Sequence, residues 1–203
     1  MTTLVIETAT AACSVALLDG TAVRASAHEV VGRGHAERLV PMISEVLAAG
    51  GATRADLILV DCGPGSFTGI RVGLAAARAL ALAWQVDVAG YSALALIAAT
   101  APGDEVGVAI TGGHGEIFVQ RFAVAPLHPL GAMVSLRPEA AAEIVQDGLV
   151  LGSGAPVLVA ARGDGQAEER LPNAADAILL PSTLASLPPM PLYGRPPDAA
   201  LPR

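Results

Sequence analysis

Apolar positions in the first hundred residues fall in short blocks separated by glycine and polar turns. Residues 3–7, 14–18 and 22–28 have strand length, and Asp19-Gly20 between the last two has hairpin chemistry. Over residues 36–49 the apolar positions Leu39, Ile43, Val46 and Leu47 recur at helical spacing. Pro41 inside that stretch is expected to kink the helix or shift its start, and Gly50-Gly51 to end it. A further strand spans 57–61 and a glycine-rich turn leads into a helix over 68–85. A strand at 86–90 and a short helix at 92–101 follow. The core order βββαβα describes one lobe of an α/β protein.

Pro102-Gly103-Asp104 marks a boundary, dividing the chain into a lobe at 1–101 and a smaller one at 102–203. In the second lobe, strands at 105–110 and 116–122 flank Gly112-Gly113-His114-Gly115. A helix at 137–146 starts with Pro138 in its first turn, and a short strand follows at 149–151. From Gly152 onward the pattern is weak. The proline-rich tail, 188–203, is expected to be extended or poorly ordered.

Composition narrows the chemistry. Of 203 residues, 53% are hydrophobic and only 3% aromatic, so the core must be built from Ala, Val, Leu and Ile. All 12 cations are arginine. Without lysine there is no Walker-type phosphate lysine, Schiff-base lysine or lysine general base. A net charge of −7 disfavours tight binding of nucleic acid by the chain alone. Cys13 and Cys62 sit in apolar runs without ligand spacing and are expected as buried thiols. The four histidines, His28, His35, His114 and His128, form no metal-ligand pattern. The most apolar window, 72–86, carries Arg78 and is too short to span a bilayer. A cytoplasmic protein is the expectation.

The turn Gly63-Pro64-Gly65-Ser66-Phe67-Thr68-Gly69-Ile70-Arg71 admits two readings. In the first, Gly63, Gly65, Ser66 and Thr68 meet a phosphate at the helix start, with Glu7 at the end of the first strand holding a metal–phosphate complex. The spacing, however, is neither the dinucleotide fingerprint nor GxxxxGK[ST]. Nor is Ser66 set in a nucleophile elbow. In the second reading, Gly69, Gly73, Ala77 and Ala81 form a narrow small-residue face, widened by Ala76 and Leu80, that lets another helix approach closely or packs inside the same lobe. Arg71 and Arg78, seven residues apart, lie together on one side of this helix.

The segments Leu4-Val5-Ile6-Glu7-Thr8-Ala9-Thr10, Cys13-Ser14-Val15-Ala16-Leu17 and His35-Ala36-Glu37-Arg38-Leu39-Val40-Pro41-Met42-Ile43, with the glycine turn through Gly73, resemble the TsaB (YeaZ-like) family. Gly115-Glu116-Ile117-Phe118 and Pro191-Leu192-Tyr193-Gly194-Arg195 are thinner echoes. The resemblance implies an actin/hexokinase/Hsp70-like (ASKHA) fold with a reduced second lobe. It implies a non-catalytic subunit that pairs with a TsaD-like threonylcarbamoyl transferase, is joined by a TsaE-like ATPase, and forms a homodimer when alone. Interface positions implied are His35, Leu39 and Ile43 on one helix, with Gly69, Arg71, Gly73, Ala76, Ala77 and Leu80 on the other. ATP or ADP and metal are expected in the partner subunits, with none held by this chain, and tRNA is met only indirectly. Ala93 and Ile97 stand where the transferase carries a metal-binding histidine pair. Glu7 replaces the usual aspartate, and Thr111-Gly112-Gly113-His114 the usual Asp-Ala-Arg. An ATP-binding phosphotransferase or ATPase of the same fold, and a peptidase, are the alternatives.

Overall fold

Three strands open the chain as antiparallel neighbours: β1 (Thr2–Glu7), β2 (Ala12–Asp19) and β3 (Ala22–Val30). The computed structural model describes residues 1–194. Helix α1 (His35–Ala49) then carries the chain across to β4 (Leu57–Asp61), which lies parallel to β1. Helix α2 (Phe67–Trp84) does the same for β5 (Asp87–Tyr91), giving a sheet ordered β3-β2-β1-β4-β5. Helix α1 runs through Pro41 without interruption. The short helix α3 (Ala93–Ala98) is wholly buried and leads towards the second lobe.

This sheet is covered on both faces, which explains why its strands read as unbroken apolar runs. Alternate residues separate cleanly. Leu4, Ile6, Val15, Leu17, Ile58 and Val60 join the cluster that includes Leu39, Met42, Ile70 and Leu74 of the two helices. Val5, Ala16, Leu18 and Leu59 face the other way, towards Tyr91, Leu96, Ala174 and Ala177.

The second lobe pairs β6 (Glu105–Thr111) with β7 (Ile117–Val124). To these it adds the short strands β8 (Leu127–Pro129), β9 (Val134–Leu136), β10 (Leu149–Leu151) and β11 (Gln166–Glu168). Helices α4 (Pro138–Ile144) and α5 (Ala155–Arg162) pack on them, with Ala141, Ala155 and Leu158 buried. Strands β8, β9 and β11 and helix α5 have no clear counterpart in the hydrophobic pattern, because elements of three to eight residues carry too few repeats to show a period.

The chain then returns to the first lobe. A 3-10 helix (Ala174–Leu179) covers the outer face of the first sheet. The Ser14 hydroxyl accepts from Ala174 N–H at 3.0 Å. Gly90 and Leu187 exchange backbone hydrogen bonds at 2.7 and 2.9 Å, and Leu192 N–H donates to Cys62 O at 2.7 Å. The return segment thus packs on the first lobe although it follows the expected boundary at 101 in the chain. The tail passes through bends at Pro189, Met190 and Gly194 and is tied down by the Leu192 bond to Cys62; the remaining tail, 195–203, lies outside the described residues.

The small-residue stripe of α2 turns out to be internal. A Cβ on Gly69 would stand 2.0 Å from Thr8 O, and one on Gly73 2.4 Å from Thr8 Oγ1. The Thr8 hydroxyl donates to Gly69 O at 2.8 Å, so strand end and helix backbone touch directly. Ala77 is fully buried on the same side. The end of β1 lies against the stripe, at Thr8.

Replacing a helical glycine by alanine normally stabilises by about 1 kcal/mol. Here the added methyl meets backbone, so Gly69→Ala is expected to destabilise the fold by about 2 kcal/mol. Denaturant unfolding reads this as a lowered midpoint. An unchanged or raised midpoint would show that the contact is not tight.

Candidate functional site

The parallel strands β1 and β4 end side by side on carboxylates, Glu7 and Asp61, and both are fully buried. Glu7 Oε1 accepts from Ala9 N–H at 2.8 Å. The Tyr91 hydroxyl lies 3.1 Å from Glu7 Oε2 and 3.1 Å from Ile6 O. A phenol has one proton and a backbone carbonyl can only accept. If Tyr91 donates to Ile6, the contact with Glu7 is completed by a proton on Glu7 itself. Burial, offset in part by the Ala9 and Tyr91 bonds, pushes the Glu7 carboxyl up to about 7. Asp61 Oδ1 accepts from Gly63 N–H at 2.9 Å, while its Oδ2 is buried without a partner. Burial, and then the nearby Glu7, raise the Asp61 carboxyl well above its usual range. Tyr91 is raised too, first by burial and then by the two carboxyls.

Glu7, offered above for a metal–phosphate complex, is thus engaged inside the chain. Its oxygens face Ala9 and Tyr91 from inside the core. The glycine turn is also engaged within the chain. Gly63 N–H goes to Asp61, Ser66 N–H to Ala9 O at 2.6 Å, and Gly69 N–H to the Ser66 hydroxyl at 3.2 Å. Ser66 is the N-cap of α2, as its position before the helix suggests. Only Gly65 and Ser66 of the candidate phosphate contacts line the cleft between the lobes; Gly63 is buried and Thr68 is exposed away from it.

The cleft has a volume of about 1030 Å³. Phe67, Ile70, Phe118, Leu192 and Tyr193 form much of its wall, and Arg71, Thr10 and Ser153 add polar groups. No acidic side chain lines it among the described residues. Among the described residues, no group of three His, Cys, Asp or Glu could hold a metal ion.

Of the expected interface residues, His35, Leu39, Ile43, Gly69, Gly73 and Ala77 are buried within their own lobe. His35 Nε2–H donates to Ala12 O at 3.0 Å. Arg71 is exposed, and Ala76 and Leu80 are partly so. The outer side of α2 is nonetheless apolar. Ala75, Ala79, Leu82 and Ala83 are exposed, Val72 is partly exposed, and Leu82 shows 83% of its surface. On α1, Val40 is 64% exposed. By length and composition α2 could also cross a membrane, yet its inner side is packed on β1.

Sequence reasoning missed Asp61, Tyr91 and the outer apolar residues. The signal for Asp61 was present: the runs ending in Glu7 and in Asp61 both close an apolar strand on a carboxylate. Tyr91 gave no signal, because its reach to Glu7 depends on the lateral order of the strands.

Two lobes of mixed sheet around a cleft, the first opening with three antiparallel strands and continuing through parallel crossovers, define the actin/hexokinase/Hsp70-like (ASKHA) class. Comparison with known proteins sharpens this. The family model for TsaD, tRNA N6-adenosine threonylcarbamoyltransferase, matches residues 26–126. The Escherichia coli tRNA threonylcarbamoyladenosine biosynthesis protein TsaB is 42% identical over 102 residues, covering 48% of this chain and 43% of that protein. An uncharacterized Mycobacterium tuberculosis protein, Rv3421c, is 32% identical over 203 residues, covering 98% of this chain and 93% of its own length. A solved Pseudomonas aeruginosa structure, of an uncharacterized protein with similarity to peptidase YeaZ, superposes with a TM-score of 0.82 at 30% identity. That match covers 96% of this chain and 99% of the Pseudomonas one. The chain belongs to the TsaB/YeaZ family. Its match to the curated E. coli relative spans less than half of that protein.

The buried acids make stability depend on pH with a definite sign. The folded state keeps on Glu7 a proton that the unfolded chain releases near 4.5, so stability falls as pH rises from there through about 7, and Asp61 adds to the fall. Denaturant unfolding at several pH values between 5 and 8 should show this decline, and Glu7→Gln should flatten it. Stability that rose across the interval would contradict a neutral Glu7.

Proposed function

We propose that this chain is a non-catalytic accessory subunit in the synthesis of N6-threonylcarbamoyladenosine in tRNA, docking on a TsaD-like transferase through the outer faces of α1 and α2. The observation that carries the reading is the apolar exposed side of α2. An 18-residue helix whose outer side offers Val72, Ala75, Ala79, Leu82 and Ala83 leaves a contiguous apolar surface in water, and such surfaces mark interaction sites. The choice of partner is supported by the family match. The stretch that matches the TsaD model, 26–126, contains both helices, so a transferase of that family offers an equivalent pair. Like surfaces pack across a twofold or pseudo-twofold axis. By the same argument the free chain pairs with a second copy of itself.

In this reading the residues that meet the partner are the outward ones, among them Val40, Arg71, Ala76, Leu80 and Leu82. The buried stripe instead fixes how α2 is rolled. ATP, ADP and metal belong to the transferase and to a TsaE-like ATPase, tRNA is met through the transferase, and the assembly works in the cytoplasm.

The cleft between the lobes favours a second reading, an ATP-binding phosphotransferase or ATPase with phosphate near Gly65 and Ser66. The internal engagement of Glu7 and of the turn N–H groups weighs against it. Calorimetric titration separates the two: docking expects no heat when the isolated chain meets ATP and magnesium, and saturable heat would favour the enzyme.

Docking itself is tested by Leu82→Arg. The side chain is 83% exposed, so folding stability should hold, while the new cation would be desolvated in the interface. Affinity for a TsaD-like subunit should fall by about tenfold or more. Unaltered affinity would remove α2 from the contact.

A further inference from the structure

The docking reading leaves unused the segment that follows the 3-10 helix. Residues 187–194 run as a strap along the first lobe, fixed by the Gly90–Leu187 bridge and by Leu192 N–H on Cys62 O. At its end Gly194 lies against Phe118 of the second lobe. Two side chains of α2 reach the strap. Arg78 Nη2 donates to Pro189 O at 2.8 Å, and Arg71 Nη2 donates to the Tyr193 hydroxyl at 3.2 Å. The Arg71 guanidinium also lies 3.4 Å from the centre of the Phe67 ring, and the Phe67 and Tyr193 rings are 6.1 Å apart. Arg71 and Arg78 are the only charged residues of α2.

These bonds bear on docking. A partner covering the apolar side of α2 also takes water from cations at its edge, which is strongly unfavourable unless their N–H groups are already bonded. A guanidinium that donates to a carbonyl or a phenol, and stacks on a ring, enters an interface with part of its hydration replaced. The strap supplies those acceptors from within the chain. It also sets Met190, 60% exposed, and Tyr193, 56% exposed, alongside the helix.

We propose that the strap is a working part of the docking surface: Pro189 and Tyr193 hold Arg78 and Arg71 so that the apolar side of α2 can be covered by the helix pair of a TsaD-like subunit. This rests on the docking reading, and its test has an arm that needs no partner.

The test uses the full chain carrying Leu192→Pro with Tyr193→Ala, which removes the N–H bonded to Cys62 and the phenol bonded to Arg71. In the first arm, phenylglyoxal modification is followed residue by residue by mass spectrometry, with Arg24 as internal reference. Arg71, which loses its bonded phenol, should react about fivefold faster in the variant, and Arg78 should react faster as the strap carrying Pro189 O loosens. In the second arm, titration with a TsaD-like subunit should show about tenfold weaker binding. In an Arg71→Ala, Arg78→Ala background the same strap changes should weaken binding by less than about twofold, because nothing is left to hold. Unaltered arginine reactivity, or equal loss of affinity in both backgrounds, would overturn the proposal. If Leu82→Arg leaves binding intact, the docking reading fails, and the reactivity arm still reports whether the strap holds the arginines. Tyr193→Phe, which deletes only the hydroxyl, should speed Arg71 alone and serves if the double variant does not fold.

Discussion

The contact between the end of β1 and the backbone of α2 governs the rest of the structure. Thr8 touches the helix where Gly69 and Gly73 leave no side chain, and its hydroxyl closes on Gly69 O at 2.8 Å. So close an approach fixes the roll of the helix. Ile70, Leu74 and Ala77 turn into the core, and Ala75, Ala79 and Leu82 turn to water. The same contact sets the direction of the glycine turn, whose N–H groups meet Asp61, Ala9 and Ser66.

The carboxyls at the ends of β1 and β4 follow from that closure. Buried at the strand ends, Glu7 and Asp61 are shielded from solvent, and their proton affinity rises. What remains between the lobes is a cleft of largely apolar wall, while Ala75, Ala79, Leu82 and Ala83 of α2 are exposed outside its lining. On the proposed docking reading the helix carries the function in place of the cleft, and the strap that braces the helix belongs to the same surface.

Much of the first lobe was legible. Runs such as Leu57-Ile58-Leu59-Val60 are long enough to show a period, and their flanking glycines mark the turns. The family was legible in the glycine turn. The orientation of α2 was not. A row of small residues reports close packing without saying what packs there, and here it was the chain's own Thr8. Gly69, Gly73 and Ala77, chosen for small size, lie inside, Arg71, Ala76 and Leu80 keep an outward share, and the outward Leu82 was passed over. The return segment was hidden as well, since Asn173, Ala174 and Leu187 find their partners Ser14 and Gly90 only through long-range closure.

Hydroxyl-radical footprinting of the chain alone and mixed with a TsaD-like subunit tests the central claim most directly, because it separates the two sides of one helix. The account predicts that labelling of Leu82 and Val40 falls on mixing, while Ile70 and Leu74 stay weakly labelled in both states. Equal labelling of Leu82 with and without the partner would contradict it.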